Sequence, residues 1–292
     1  MSPENPFLGT IGFVGLGDMG APMAANCARA GLALLAHDLR PQMEAEVLAW
    51  GGRWADTAAL VVNQSDVLCL CLLDDAQVRR FVDENGLFGA MRPGAALVVH
   101  STLTPHLVRE MAEEGAHCGV DVIDAPVSGS HAARVEGRLT VMVAASPEAF
   151  ERLRPLWEAT SALAFHVADT PGSAQVVKLC NNMMGETNYL VALEALSVAE
   201  AFGIPEAVFL DVVKACSGNS WMIENWSTAD RHMLTHPYGG ESARFSILLK
   251  DLQTAVAVGG QVGTPPLIAA VAGVAGEQIL KRRLDAITAA AP

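Results

Sequence analysis

A lysine stands in a regularly spaced set of polar residues within the otherwise apolar segment 171–202. The set consists of Gln175, Lys178, Asn182 and Glu186. Spacings of three, four and four residues place these side chains on one narrow stripe of a helix. A lysine on a mostly buried helix is costly unless its charge is used or paired. The stripe therefore indicates either a wet domain interface or a catalytic lysine with a helper amide one turn later.

The segment that carries this stripe predicts one long buried helix. It contains no internal proline, and its apolar residues fall on nearly every side. A lysine acts as a general base near neutral pH only where desolvation or a nearby cation lowers its pKa. The apolar surroundings of Lys178 supply the first of these conditions.

The composition and the net charge argue against two classes of partner. The chain has 292 residues, 51% of them hydrophobic, and a formal net charge of -13. This charge argues against nucleic acid or an anionic membrane surface as the main partner. The start MSPENPFLGT lacks the pattern of a signal peptide, so we expect a soluble cytoplasmic protein. The six cysteines form no CxxC pair, which predicts reduced thiols, and we expect no metal site.

A glycine-rich turn near the start predicts a phosphate site. The β-rich run TIGFV ends directly in Gly15-Leu16-Gly17-Asp18-Met19-Gly20, and a helical pattern follows at once. Strand, GxGxxG turn and helix N-terminus together are typical of dinucleotide binding, because glycines admit the pyrophosphate to the backbone. The N–H groups and dipole of the helix favour its negative charge.

An acidic residue at the end of the next strand predicts the cofactor. The apolar run 32–36 is followed by Asp38, which can accept hydrogen bonds from an adenosine ribose. A carboxylate repels a 2′-phosphate, so NAD is the expected cofactor. Arg40 could tolerate that phosphate, which leaves NADP as the alternative.

Strands and helices alternate up to about residue 168. Predicted strands cover 67–73, 96–100, 120–124, 140–144 and 164–167, and predicted helices cover 75–82 and 105–114. This rhythm predicts a Rossmann-type α/β domain with a doubly wound parallel sheet that binds ligands at the carboxyl ends of its strands. Leu73 and Thr102 follow two of these ends and should border the cofactor.

A turn after the strand at 120–124 could hold an anion. Ser128, Gly129 and Ser130 offer hydroxyl and backbone N–H groups, and the alternative is a purely structural turn. Beyond residue 202 we predict helices over 205–215, 243–258 and 265–283, and an irregular segment over 216–241 that contains Trp221 and His232. We expect a dinucleotide-binding domain at 1–168 and an all-α substrate and oligomerisation domain at 169–292, joined by the long helix.

Four ordered motifs resemble the β-hydroxyacid dehydrogenase family, which includes 3-hydroxyisobutyrate dehydrogenase. They are GFVGLGDMGAPMAAN, DAPVSGSHAARVEGRLTVMV, GSAQVVKLCNN and LLKDL. The resemblance covers nearly the whole chain. It implies an NAD(P)-dependent oxidoreductase that moves a hydride between nicotinamide and a small 3-hydroxy acid, as a homodimer or homotetramer.

The resemblance also implies roles for individual residues. Lys178 matches the catalytic general acid/base and Asn182 its amide, while Thr102 lies beside the nicotinamide. Lys250 matches a lysine that approaches the cofactor and the active site. The matches in the carboxylate loop are Ser128 and Gly129, and those in the phosphate-binding turn are Gly15, Gly17, Met19 and Gly20.

Departures from the family pattern concern the substrate. The family usually has SGG where this chain has Ser128-Gly129-Ser130, so Ser130 adds a side chain near the substrate. The segment 217–225 resembles the L-threonate dehydrogenase branch, and Trp221 within it is a candidate pocket residue. Two alternatives stay open: an imine reductase, which generally lacks the lysine, and a non-catalytic nucleotide-binding module on the same scaffold.

Overall fold

The computed structural model describes residues 9–228, 230 and 241–289, with no side chains described at 241–244 and 246–248. The chain divides into two compact units, Met1–Lys178 and Leu179–Pro292. His232, in the segment predicted as irregular, lies outside the described residues.

The first unit is built on a nine-stranded sheet. Its strands are β1 (Thr10–Val14), β2 (Ala33–His37), β3 (Arg53–Trp54), β4 (Val67–Leu70), β5 (Ala96–Val99), β6 (Asp121–Asp124), β7 (Val127–Ser128), β8 (Leu139–Ala144) and β9 (Ser161–Ala168). They lie in the order β3-β2-β1-β4-β5-β6-β8-β7, and β9 pairs with β8. All pairs from β3 to β6 are parallel.

The sheet departs from a purely parallel one at its end. β8 runs antiparallel to β6 and β7 and parallel to β9. The short path from β6 through β7 to β8 contains only the small helix at 131–135, which leaves no room for the long crossover that parallel neighbours need. The Rossmann-type fold predicted from the alternating pattern is confirmed, with this mixed edge as an addition.

Helices cover both faces of the sheet. They are α1 (Gly20–Arg29), α2 (Met43–Ala49), α3 (Ala58–Gln64), α4 (Asp75–Glu84), α5 (Leu87–Ala90), α6 (Pro105–His117), α7 (His131–Val135), α8 (Pro147–Arg152) and α9 (Arg154–Thr160). Each central strand is buried on both sides, which accounts for the continuous apolar runs in the sequence. One apolar cluster lies between the sheet and α1, and a second packs under α4 and α6.

Two strands end earlier than the sequence predicts. The strand predicted over 67–73 ends at Leu70, because its partner β1 ends at Val14 where the glycine turn begins. Beyond it, the N–H of Leu72 donates to Oγ of Ser101 instead of to a strand. The run predicted over 96–100 likewise ends at Val99.

The second unit is helical. The long helix α10 (Ser173–Ala201) begins in the first unit and continues into the second, as one helix of 29 residues. It is followed by α11 (Glu206–Lys214), α12 (Trp221–Glu224), α13 (Glu241–Gln261) and α14 (Leu267–Ala289). The segment predicted as irregular therefore contains a short helix, which Ser220 caps through a bond from the N–H of Ile223.

A buried ionic cluster ties the helices of the second unit together. Arg283 on α14 donates to Glu206 at 2.7 Å and to Asp230 at 2.9 Å. Trp226 donates to Glu206 at 2.8 Å, and the Tyr189 hydroxyl donates to Asp230 at 3.1 Å. The guanidinium lies 5.3 Å from the centre of the Trp226 ring. Four separated stretches of chain thus share one set of bonds.

The described part of the chain contains free thiols, and it has neither a metal-binding cluster nor a membrane-spanning helix. All six cysteines are free, and burial raises the pKa of Cys71 to about 12. Within the described ranges, no group of three or more His, Cys, Asp and Glu side chains is placed to hold a metal ion. Among the same residues, no helix has both the length and the apolar character needed to cross a membrane.

Candidate active site

The glycine turn leaves an open cradle at the start of α1. Gly15 has a φ of +89°, a conformation that other residues rarely adopt. A β-carbon on Gly20 would collide with the carbonyl oxygen of Gly15, whereas one on Gly17 would project into open space. Gly15 and Gly20 therefore shape the turn, and Gly17 leaves free space on its outer side. The turn fits a pyrophosphate, which the N-terminus of α1 would attract.

Asp38 is held beside this turn by Arg40. Oδ2 of Asp38 accepts from the N–H of Leu16 at 2.7 Å, and Oδ1 accepts from the backbone N–H and Nε of Arg40 at 2.9 and 2.8 Å. Nη2 of Arg40 also donates to the carbonyl of Leu16 at 2.7 Å. Although burial opposes ionisation, the bonds from Arg40 and Leu16 lower the pKa of Asp38. A charged carboxylate therefore stands where the ribose of a bound dinucleotide is expected.

Gln175 joins the loop after β5 to the first turns of α10. Its Oε1 accepts from the N–H of Leu103 at 2.9 Å, and its Nε2 donates to the carbonyl of Ser101 at 3.1 Å. Thr102 lies between these two bonded residues, so its backbone position is fixed relative to α10. Leu73, in the loop after β4, donates its N–H to Gln77 at 3.2 Å and keeps a half-exposed side chain.

Asp124 caps the N-terminus of α10. Its Oδ2 accepts from the N–H groups of Gly172, Ala174 and Gln175 at 2.8, 3.0 and 3.2 Å, and its Oδ1 accepts from Nε2 of Gln175 at 2.7 Å. The carboxyl group is fully buried, and this burial raises its pKa to about 6 against the effect of the four donors. These contacts hold the start of α10 against the end of β6.

Lys178 follows this anchored turn by three residues. Its side chain is 8% exposed, and Gln175 on the same stripe is fully buried. The position of the lysine backbone is therefore set by contacts that begin at the carboxyl ends of β5 and β6. A parallel α/β sheet binds its ligands at that edge.

The serine–glycine turn has little space at its centre. Ser128 pairs with Thr140 across β7 and β8. A β-carbon on Gly129 would lie 2.7 Å from Cδ2 of Leu139, so only glycine fits without a shift. Ser130 caps α7, its Oγ accepting from the N–H of Ala133 at 3.3 Å. Ser130 thus has a structural task beside its predicted contact with substrate.

In the second unit, Asp251 joins two of the predicted residues. Nδ2 of Asn182 donates to Oδ2 of Asp251 at 2.5 Å, and Nζ of Lys250 lies 2.9 Å from Oδ1 of the same carboxylate. Asp251 is 9% exposed. Lys250 and Asp251 therefore form a partly buried network with Asn182. Trp221 begins α12 and is 56% exposed.

The predicted residues are distributed over both units. The first unit contains Gly15, Gly17, Met19, Gly20, Asp38, Leu73, Thr102, Ser128, Gly129, Ser130 and Lys178, and the second contains Asn182, Trp221 and Lys250. Sequence reasoning missed Asp124 and Asp251 as partners of Gln175 and Asn182. Their only signal was position: Asp124 ends a buried strand, and Asp251 sits inside an apolar helical run.

Two family models together match nearly the whole chain. The NAD binding domain of 6-phosphogluconate dehydrogenase matches residues 10–172. The NAD-binding domain of NADP-dependent 3-hydroxyisobutyrate dehydrogenase matches residues 172–286. The chain belongs to the β-hydroxyacid dehydrogenase family. As a member of this family, it is an NAD(P)-dependent hydroxyacid dehydrogenase.

Known relatives are consistent with this family assignment. The chain is 35% identical to an L-threonate dehydrogenase of Escherichia coli O6:H1, over 83% of this chain and 80% of that protein. It is 35% identical to an NAD-dependent L-serine dehydrogenase of Pseudomonas aeruginosa, over 73% of this chain and 72% of that protein. A 3-hydroxyisobutyrate dehydrogenase structure from Salmonella typhimurium has a TM-score of 0.78 at 35% identity, over 90% of this chain and 91% of that one.

Proposed function

We propose that this β-hydroxyacid dehydrogenase interconverts a small 3-hydroxy acid and its oxo acid, with Lys178 as the general acid/base. The observation that carries the proposal is the buried Lys178 one turn beyond the Gln175 anchor. A lysine out of water can exchange a proton with a substrate hydroxyl near neutral pH.

The first unit supplies most of the proposed cofactor contacts. The turn of Gly15, Gly17, Met19 and Gly20 would hold the pyrophosphate, and Asp38 the adenosine ribose. Leu73 and Thr102 would border the nicotinamide, and from the second unit Lys250 would approach it. When bound, the nicotinamide supplies the hydride acceptor or donor.

The remaining residues would bind and orient the acid. The Ser128-Gly129 turn would hold the substrate carboxylate through hydroxyl and N–H groups, with Ser130 and Trp221 as further contacts. In oxidation neutral Lys178 takes the hydroxyl proton, and in reduction protonated Lys178 returns it. Asn182, oriented by Asp251, would bond the substrate. No metal takes part in this scheme.

An acid panel with both cofactors tests this function. Rates of NAD and NADP reduction would be measured with L-threonate, D-threonate, L-serine, D-glycerate and 3-hydroxyisobutyrate. We propose a threonate-like substrate, supported by the segment 217–225 and by the L-threonate dehydrogenase relative. Turnover on 3-hydroxyisobutyrate alone would refute the threonate preference and keep the role of Lys178. No turnover on any acid, with reduction of a cyclic imine, would instead favour an imine reductase.

The second prediction of this function concerns cofactor choice. NAD should be preferred over NADP, because the Asp38 carboxylate accepts ribose hydroxyls and repels a 2′-phosphate. Asp38→Ala should lower the NAD-over-NADP ratio of kcat/KM by about 10- to 100-fold, the value of one charge-assisted hydrogen bond. Asp66→Ala, at an acidic residue outside the turn, is the control. An unchanged ratio in Asp38→Ala would remove Asp38 from the ribose site.

An exposed apolar stripe on α10 supports a homo-oligomer. Met184, Val191 and Val198 recur every seven residues and are 64, 54 and 62% exposed. A helix face of this kind is stable in water when a second subunit covers it, and we propose a homodimer or homotetramer. We also propose a cytoplasmic location, since the free thiols suit a reducing compartment.

Charge on this stripe should dissociate the oligomer. Val191→Asp should shift the mass measured by light scattering toward the 30.7 kDa of one chain. Leu48→Asp on α2, at a similarly exposed position of the first unit, should leave the mass unchanged. A wild-type protein that is already monomeric at micromolar concentration would contradict the proposal.

A further inference from the structure

Arg134 contacts the glycine turn at Met19 and Asp18. Its Nη1 is 3.4 Å from Sδ of Met19, and its Nη2 is 3.9 Å from Oδ2 of Asp18. Only 16% of the side chain is exposed. An arginine on the short helix α7, which follows the Ser128-Gly129 turn, thus reaches the proposed phosphate cradle.

The backbone of α7 is fixed to α1 at this point. Nδ2 of Asn26 donates to the carbonyl of Arg134 at 2.9 Å, and Nη1 of Arg29 donates to the carbonyl of Val135 at 3.3 Å. Asn26 is itself buried. The arginine is therefore carried on a backbone that is held to the same helix whose N-terminus forms the cradle.

The guanidinium contacts an imidazole and a thioether, and its carboxylate partner Asp18 is 3.9 Å away. A thioether sulfur is a poor hydrogen-bond acceptor, and the Asp18 carboxylate stands beyond hydrogen-bond distance and is half exposed. The shortest contacts are with Nδ1 of His131, which lies 2.9 Å from Nη2 and 3.3 Å from Nε. An arginine has five N–H donors in a planar fork that matches phosphate oxygens, so a phosphate would be a better partner than the sulfur.

Charge balance favours the same partner. The chain carries a net charge of -13, and Asp18 adds a carboxylate within the turn itself. A dinucleotide brings two further negative charges on its diphosphate. Arg40, by contrast, contacts the carbonyl of Leu16 in the turn and is paired with Asp38 at 2.8 Å. The carboxylate partner of Arg134, Asp18, is farther away at 3.9 Å and is half exposed.

We propose that Arg134 binds the diphosphate of the dinucleotide at the glycine turn. The proposal rests on the proposed position of the cofactor at this turn. It makes α7 a bridge between two anion sites, since its N-cap is Ser130 in the predicted carboxylate turn and its fourth residue reaches the cofactor. An arginine here would raise affinity for any ligand with the same diphosphate, whatever lies beyond it.

Ligand titrations with Arg134→Met test this assignment without measuring turnover. NADH, ADP and adenosine would be titrated into wild type and variant, by fluorescence or by displacement of NADH. The dissociation constants for NADH and ADP should rise about 10- to 100-fold, the value of a charged hydrogen bond, and that for adenosine should stay unchanged. Arg134→Lys keeps the positive charge but lacks the planar fork of N–H donors. Its dissociation constants for NADH and ADP should therefore lie between those of the wild type and those of Arg134→Met.

A neighbouring arginine provides the matched control. Arg138 follows α7, is exposed, and pairs with Glu136. Arg138→Met should bind all three ligands as the wild type does. Equal ADP binding by Arg134→Met and wild type would overturn the proposal, as would an Arg134→Met variant that binds both nucleotides normally and raises only the KM of the acid. Because ADP carries no nicotinamide, its titration decides Arg134 independently of the proposed substrate. If Arg134→Met does not fold, Arg134→Lys serves as the test. An ADP affinity equal to that of the wild type would then overturn the proposal.

Discussion

Replacing Lys178 with alanine or methionine should lower kcat by roughly two to four orders of magnitude, the usual contribution of a general acid/base. The dissociation constant for NADH should barely change, because the predicted cofactor contacts lie on the glycine turn and the strand ends. Steady-state kinetics and an NADH titration measure the two quantities. Lys214→Met on α11 is the control and should retain full activity.

Chemical rescue separates a proton-transfer role from a structural one. Methylamine added to Lys178→Ala should restore part of the lost turnover, because a free amine can occupy the emptied space and exchange the same proton. The recovery should grow with the fraction of unprotonated amine as the pH rises. A loss of activity that no amine restores, together with a lower free energy of unfolding, would assign Lys178 a structural role instead. Near-normal kcat in Lys178→Met would refute its catalytic role outright.

Asp124→Asn should cost both stability and turnover. The new amide nitrogen at position 124 would face Nε2 of Gln175. The Gln175 amide cannot rotate to present its oxygen there, because Oε1 already accepts from the N–H of Leu103. One buried donor is then unsatisfied, and we expect the free energy of unfolding to fall by about 1–3 kcal/mol. Misplacement of Lys178 by a fraction of an ångström to about 1 Å should lower kcat by up to about a hundredfold. Urea unfolding and kcat are the measurements.

A paired substitution provides the control for Asp124→Asn. In the double variant Asp124→Asn with Gln175→Glu, the new carboxylate can accept from Leu103 and from the amide at position 124. The bond to the Ser101 carbonyl is lost, and a carboxylate oxygen faces that carbonyl instead. Part of the stability and of the turnover should return. A single variant that is less stable yet keeps its kcat would show that the cap supports the fold without positioning the lysine.

The parts of the fold that were predictable are those in which neighbouring residues carry the signal. β1 was predicted at its observed bounds because an apolar run meets a glycine turn. The long helix was predicted because its apolar pattern is uninterrupted, and it spans Ser173–Ala201. The fold class and the family followed from the same local motifs.

What escaped prediction depends on contacts between distant residues. The bonds from Asp124 to Gln175 and from Asp251 to Asn182 join residues 51 and 69 positions apart. Nothing local distinguishes these carboxylates from ordinary strand-end or surface acids. Arg134 was overlooked for the same reason, since its contact with Met19 spans 115 positions. Such contacts become visible only when the folded chain brings these distant residues together.

The ionic cluster of the second unit has a consequence for how the chain is made. Glu206 and Asp230 depend on Arg283, which lies 77 and 53 residues later. At ~5–20 residues per second, a ribosome needs about 4–15 s to proceed from Glu206 to Arg283. Until Arg283 is made, neither acid has its arginine partner, whereas the first unit is already synthesised. The nascent protein therefore passes through a stage with a folded nucleotide-binding unit and an unfinished helical one, the stage at which a chaperone would have most to protect.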